Sequence, residues 1–253
     1  MYNAEQITGI PKLTSPVMTH RDKITLAEEF ISTSECAIME KAQDQAFYNP
    51  RTDEITLPPR STFRSPEAFL SVVIHEMGHS TGHPDRLNRP LVGRNNIEEY
   101  ALEELNAEIG TIFTESDLGI DFDAVSDTGI GHLDYVDSWL KILNNNPTAF
   151  FHACTNAEKI SNYLVQNYQY EKILCASLQQ HGYKVTRDIL SNVRALNKLT
   201  KTKNTLENVR DQYIKLRGKE PATPEQKLIK DIGNTLCQQE QLHMQVPAIE
   251  PGG

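Results

Sequence analysis

Ile74-His75-Glu76-Met77-Gly78-His79-Ser80-Thr81-Gly82-His83 is the stretch on which the reading of this 253-residue chain turns. The residues ahead of it, from Pro66 to Ile74, are apolar on most sides (Phe69, Leu70, Val72, Val73, Ile74), which predicts a central, buried helix. Ser65-Pro66-Glu67 supplies its start: a serine N-cap, proline at the first helical position and an acid in the first turn. Gly82 predicts the stop, and Pro84 prevents continuation. Residues four apart on a helix share a face, so His75 and His79 project together and can hold one metal ion. Glu76 stands one step round, placed to act on a metal-bound water. The pattern suits catalytic zinc, which takes three protein ligands and keeps a fourth position open.

A third ligand has to come from elsewhere. Ile97 to Leu118 predicts a second helix whose stripe Ile97, Ala101, Leu105 and Ile112 also contains Glu104 and Glu108. Carboxylates on an apolar face are costly unless paired, hydrogen-bonded or bound to a cation. Glu104, twenty-five residues after His79, is the first candidate, and Glu108 is placed to orient one imidazole from the second shell of the metal. Asp85 is the competitor, because His75-Glu76-x-x-His79-x-x-Gly82-x-x-Asp85 also fits an extended zinc-peptidase spacing. That spacing goes with a downstream methionine turn, and no Met occurs between Met77 and Met244, which ranks Asp85 second. Glu98, Glu99 and Glu103 are expected on the solvated face. Tyr48, Tyr100 and His132 are candidate oxyanion donors.

Around this centre the chain predicts an α+β unit. Residues 1–21 read as an extended lead-in and Lys23 to Ser32 as a helix. Cys36 to Met39 is a candidate strand. Ala46-Phe47-Tyr48 and Glu54-Ile55-Thr56-Leu57 flank a turn-rich link, which signals a hairpin. The expected sheet is small and antiparallel, packed on the active-site helix, and its strand Glu54–Leu57 could pair with an extended substrate. Helices follow from about His132 to Leu143 and from Pro147 to about Gln169, with the loop Asp121 to Gly131 before them. Beyond Tyr170 an all-α region is expected: Val185 to Leu216, interrupted near residues 200–204, then a helix capped by Thr223-Pro224 and running to Met244. These elements divide the chain into a unit at 22–170, a helical region at 171–246 and a disordered tail at 247–253.

Bulk properties narrow the function. Hydrophobic residues at 38% and charged residues at 23% suit a globular protein. No run of about eighteen apolar residues is present, so no membrane association is expected. The N-terminus lacks a signal-peptide pattern, and four scattered cysteines read as reduced thiols, so a cytoplasmic location is expected. Within the net charge of −9, Lys184 to Lys219 holds ten Lys or Arg against three acids, a local +7 that leaves −16 for the remainder. Nucleic-acid binding by that basic segment is weakly supported, since Tyr183 and Tyr213 are its only aromatics. A phosphate-binding Gly-x-x-x-x-Gly-Lys loop is missing.

Four blocks in order resemble the ArdC-type antirestriction proteins, which carry the zincin-like metallopeptidase domain of mobile-element and phage polyvalent proteins. They are Ala46 to Pro59, His75 to Arg89, Tyr100-Ala101-Leu102-Glu103-Glu104-Leu105-Asn106-Ala107-Glu108, and Ser138-Trp139-Leu140. The likeness covers roughly residues 1–168 and implies a zincin-like fold and a Zn2+ site. ArdC proteins place a single-stranded-DNA-binding domain ahead of this one; Met1 falls near the joining segment, so a DNA-binding role is not carried over. The expected function is a zinc-dependent metallopeptidase hydrolysing a peptide bond in a protein substrate, with Glu76 as general base. The alternative is a non-proteolytic zincin scaffold that binds or inhibits a host protein, such as a host defence nuclease.

Overall fold

The structure, a computed structural model, describes residues 18–91, 96–120 and 133–245. Most of the expected lead-in, the loop Asp121 to Gly131, His132 and the C-terminal tail lie outside the described residues. Helix α1 (His20–Ser32) starts on a reciprocal cap: Thr19 Oγ1 accepts from the Asp22 amide and the Asp22 carboxylate accepts from the Thr19 amide, each at 3.2 Å. Ala27 and Phe30 then bury its inner face.

Three strands follow: β1 (Ala37–Glu40), β2 (Phe47–Asn49) and β3 (Glu54–Leu57), in the order β1-β3-β2. The expected hairpin is present, with β2 antiparallel to β3 and Tyr48 opposite Ile55. Strand β1 lies parallel to β3, Ile38 opposite Ile55, so the sheet is mixed rather than wholly antiparallel. Two expectations meet in β3. Its Ile55, Thr56 and Leu57 are buried, as a strand facing a core requires. Both of its edges are paired, however, so Glu54–Leu57 cannot accept a substrate strand; the edge left open among the described strands on that side belongs to β2.

Helix α2 (Pro66–Ser80) is capped as its sequence indicates, Ser65 Oγ accepting from the Ala68 amide at 3.2 Å. Every side chain from Ala68 to Met77 is buried, because the sheet covers one side and α1, α3 (Ile97–Leu118) and a later helix, Thr148–Gln180, cover the rest. Helix α3 runs from an Asn96 cap to Gly119, whose φ of 71° closes it in the left-handed conformation. Helix α4 (Leu133–Asn145) rests on α3, and Trp139 Nε1 donates to the Ala101 carbonyl at 2.8 Å.

Helix α5 (Thr148–Gln180) departs from expectation. It is one helix of 33 residues, about 50 Å long. The boundary expected at Tyr170 falls inside it, since no breaker occurs there; the first is Gly182, with φ 79°. Ile160, Leu164 and Tyr168 on α5 belong to a core with α1, α2 and the sheet. Leu174 and Leu178 belong to a second core with α6 (Arg187–Thr200), α7 (Leu206–Leu216) and α8 (Pro224–Gln245). The interruption expected near residues 200–204 separates α6 from α7, with Lys201 left-handed at φ 53°. No helix among the described residues is long and apolar enough to cross a membrane.

Small residues let the central helices close up. A Cβ on Gly110 would stand 3.1 Å from Ile160 Cγ2, which is fully buried. Gly110→Val is therefore expected to overpack the α3–α5 contact, costing about 1–3 kcal/mol. Thermal unfolding would show this as a fall of several degrees in Tm, and an unchanged Tm would contradict so close an approach.

Candidate metal centre

The last two turns of α2 turn His75 and His79 toward α3, and their Nε2 atoms face each other at 3.1 Å. Glu104 on α3 completes a triangle, its carboxylate oxygens 3.5 Å from His75 Nε2 and 3.6 Å from His79 Nε2. Ligand atoms about 2.0–2.1 Å from a tetrahedral zinc ion stand roughly 3.3 Å apart, which this spacing approaches. Two imidazole nitrogens and a carboxylate oxygen, on side chains 8–12% exposed, converge on one point. That donor set fits a divalent cation.

The other ring nitrogens are engaged too. Glu108 Oε2 lies 3.2 Å from His75 Nδ1, within ion-pair distance. His79 Nδ1 is 3.2 Å from Glu103 Oε1. Glu103 was expected on the solvated face; instead it is buried between α3 and the loop after α2. Arg89 in that loop grips it, Nη2 to Oε1 at 2.7 Å and Nε to Oε2 at 3.3 Å, and Asn106 Nδ2 adds a bond at 3.3 Å. Helical periodicity alone does not show this, because the loop's return covers the face. Two arginines in one short loop, Arg86 and Arg89, were the available signal.

The protonation pattern follows from these contacts. Burial opposes a charged His75, but the bonds to Glu104 and Glu108 outweigh it and lift its pKa to about 9. His79 rises likewise, burial being overcome by Glu103 and Glu104. Burial works to raise Glu104, yet the two histidines hold it well below the usual carboxylate range. Glu76 goes the other way. Burial raises it, and His79 and His75 offset only part of the effect.

Glu76 also meets the sheet, where the backbone of Tyr48 helps favour its charged form. Strand β2 is held there by Arg86, which reaches the Ser80 carbonyl with Nε (2.7 Å), Asp53 Oδ2 with Nη1 (3.2 Å) and Tyr48 Oη with Nη2 (3.1 Å). The Tyr48 phenol donates to Asp53 at 2.8 Å, and burial with that bond raises its pKa, so its hydroxyl is committed to the hairpin.

Asp85 is not brought to the cluster. Its half-exposed side chain lies 2.7 Å from Lys198 Nζ on α6. Gly82 does not swing the chain toward the histidines, because α2 ends through Thr81 in a right-handed conformation. What Gly82 provides is space: a Cβ there would stand 2.6 Å from Leu91 Cδ2. His83 shapes the helix exit, Nδ1 accepting from the Asp85 amide at 3.1 Å. Gly78-His79-Ser80-Thr81-Gly82 also spells Gly-x-Ser-x-Gly, yet Ser80 is buried in the last helical turn and donates to the Met77 carbonyl at 2.7 Å. It is not the exposed serine of a strand-to-helix elbow.

Comparison with known proteins agrees with this geometry. The profile of a family described as zincin-like metallopeptidase (MPTase-PolyVal) matches residues 25–156. The chain belongs to this family. Two Escherichia coli proteins named DNA primase TraC are each 39% identical to it over 165 residues, 65% of this chain but only 11% and 15% of theirs. The y4eC protein of Sinorhizobium fredii is 32% identical over 164 residues, 65% of this chain and 52% of that protein. Among solved structures, antirestriction protein ArdC from plasmid R388 matches in its Mn(II)-bound form with a TM-score of 0.51 and 33% identity, over 66% of this chain and 60% of that one. Its metal-free form matches with a TM-score of 0.51 and 32% identity. The chain thus spans between about a tenth and a half of these curated relatives. The α+β zincin-like fold and the ArdC likeness read from the four sequence blocks both hold.

For this zincin-like chain, titration with zinc or manganese separates the two candidates for third ligand. Glu104→Ala is expected to lose more than about a hundredfold in affinity, since removing even an outer partner costs roughly 10–100-fold. Asp85→Ala breaks only an exposed ion pair and is expected to stay within about twofold. Equal losses in both variants would reject the assignment.

Proposed function

We propose that this chain is a zinc-dependent metallopeptidase, with His75, His79 and Glu104 holding the ion and Glu76 as general base in hydrolysis of a peptide bond in a protein substrate. The observation that carries this reading is the position of Glu76. Its carboxylate is buried beside the converged His75, His79 and Glu104, and the backbone of Tyr48 on the edge strand favours its charged form. Bound at this centre, zinc would polarise a water and bring its pKa from 15.7 down to about 7. Glu76, whose pKa is raised by burial, is suited to take a proton from that water and deliver it to the leaving amine. Glu108 and Glu103 orient the two imidazoles, leaving both Nε2 atoms for the ion.

The open edge of β2 is where an extended substrate would pair, by strand addition, because Arg86 and Asp53 fix that strand against the end of α2. The partner implied is a protein or peptide. Its similarity to an antirestriction protein favours a second reading, in which the same metal-bearing scaffold binds or inhibits a host defence protein without cutting it. A nucleic-acid partner for the basic segment draws less support. Arg194 is bonded to Glu171 at 2.6 and 2.7 Å, Lys198 is paired with Asp85, and Lys203 is bonded to Asn167.

Wild type and Glu76→Gln, both checked for metal content, would be incubated with cell lysate and the new protein termini identified. Because Glu76 is not a ligand, both are expected to bind metal. Wild type is expected to generate new termini, with the rate falling about 10²–10⁴-fold in Glu76→Gln. If neither cuts anything while both protect DNA from a restriction nuclease equally, the scaffold reading replaces the peptidase.

A further inference from the structure

Arg89 lies behind the metal centre, where no ligand pattern marks it. Its side chain is 9% exposed, so the guanidinium has been taken out of water and must find its partners within the protein. It finds them on two helices. On α2, Nη2 donates to the Gly78 carbonyl at 3.0 Å and Nη1 to Thr81 Oγ1 at 2.5 Å. On α3, Nη2 and Nε bond the two oxygens of Glu103. Gly78 and Thr81 bracket His79 in sequence, and Glu103 Oε1 is the atom 3.2 Å from His79 Nδ1.

We infer that Arg89 is a positioning residue of the metal centre, acting through Glu103 to fix the ring of His79; this rests on the metal centre proposed above. A glutamate side chain turns about three bonds, and one bond to an imidazole does not select among its rotamers. A planar guanidinium bonded to both oxygens does, since the fork fixes the plane of the carboxylate as well as its place. The same Nη2 touches the Gly78 carbonyl, so the carboxylate is referenced to the helical turn that carries His79. Any rotation of Glu103 that released Nδ1 would break a bond to a buried arginine. Asn106 holds the other oxygen from within α3, whereas Arg89, bonded to both Gly78 and Glu103, ties the turn of His79 and the orienting carboxylate into one unit. Lysine would not serve, because a single ammonium cannot span both oxygens with fixed direction.

The test uses the full chain as wild type, Arg89→Met, Arg89→Lys, Glu103→Gln and the Arg89→Met/Glu103→Gln double variant. Zinc affinity would be measured against a chromophoric chelator, and histidine side-chain proton–nitrogen NMR spectra would be recorded on metal-free protein. Arg89→Met and Glu103→Gln are each expected to bind zinc about 10–100-fold more weakly. The double variant should lose no more than the worse single one, because both act on His79 by one route. In metal-free protein the His79 ring signals are expected to move in Arg89→Met while those of His75 stay. Zinc affinity within about twofold of wild type with unmoved His79 signals would overturn the inference, as would losses that multiply in the double variant. If Arg89→Met does not fold, Arg89→Lys decides by the same two readings. If wild type takes up no zinc, the metal-centre reading fails separately, and the metal-free spectra still decide whether Arg89 sets the ring.

Discussion

Two imidazoles and four carboxylates crowd against a helix that has almost no exposed face. That burial is the constraint on which the structure depends. Helix α2 is held by its apolar side chains, from Ala68 to Met77, against the sheet and three helices. The same packing takes His75, Glu76 and His79 out of water. An isolated carboxylate or imidazolium there would be costly, so each polar atom must be met by a partner of opposite demand. Glu104 meets both Nε2 atoms, and Glu108 and Glu103 meet the Nδ1 atoms. Glu76 is the exception. Burial raises its pKa, and the neighbouring His79 and His75 and the backbone of Tyr48 offset only part of that.

Two arginines convert the loop after α2 from a connection into part of the centre. Arg86 faces the sheet and joins the Ser80 carbonyl to Asp53 and Tyr48, which sets the hairpin against the helix end. Arg89 faces α3 and joins the Gly78 carbonyl to Glu103. Both serve carbonyls near the C-terminus of α2, where cations are favoured by the helix dipole and by unpaired acceptors. One short loop thereby holds the sheet edge on one side of the site and Glu103, the partner of His79, on the other.

What could be read from sequence was local or periodic. The Ser65-Pro66-Glu67 start depends on neighbours within one turn, and it is found as read. The shared face of His75 and His79 depends only on helical pitch. Glu104 was read from a stripe of which Ala101 and Leu105 are buried but Ile97 and Ile112 are exposed, so only the middle of that stripe gives a charge there a reason. Glu103 was not legible, because its burial is created by Arg89, fourteen residues away on a returning loop. The parallel placement of β1 was hidden for a similar reason: a four-residue strand states its alternation but not its neighbour. The break expected at Tyr170 came from a change in composition. The helix continues because its apolar residues simply pass from one core to the next.

That passage bears on how the two cores behave. Helix α5 contributes Ile160, Leu164 and Tyr168 to the core around the metal centre and Leu174 and Leu178 to the C-terminal one, without a flexible joint between them. Arg194 on α6 adds a second tie, bonding Glu171 of α5 and the Ser32 carbonyl at the end of α1. Lys198, one turn further along α6, pairs with Asp85 in the loop that also carries Arg86 and Arg89. The family match ends at residue 156, before the second core begins, and Lys198 links that second region to the loop after α2. An exposed ion pair such as Asp85–Lys198 contributes little by itself. A shared rigid helix contributes more, because displacing the C-terminal helices would have to bend or fray α5 against Ile160, which also packs on Gly78 and Gly110 beside the turn that carries His79.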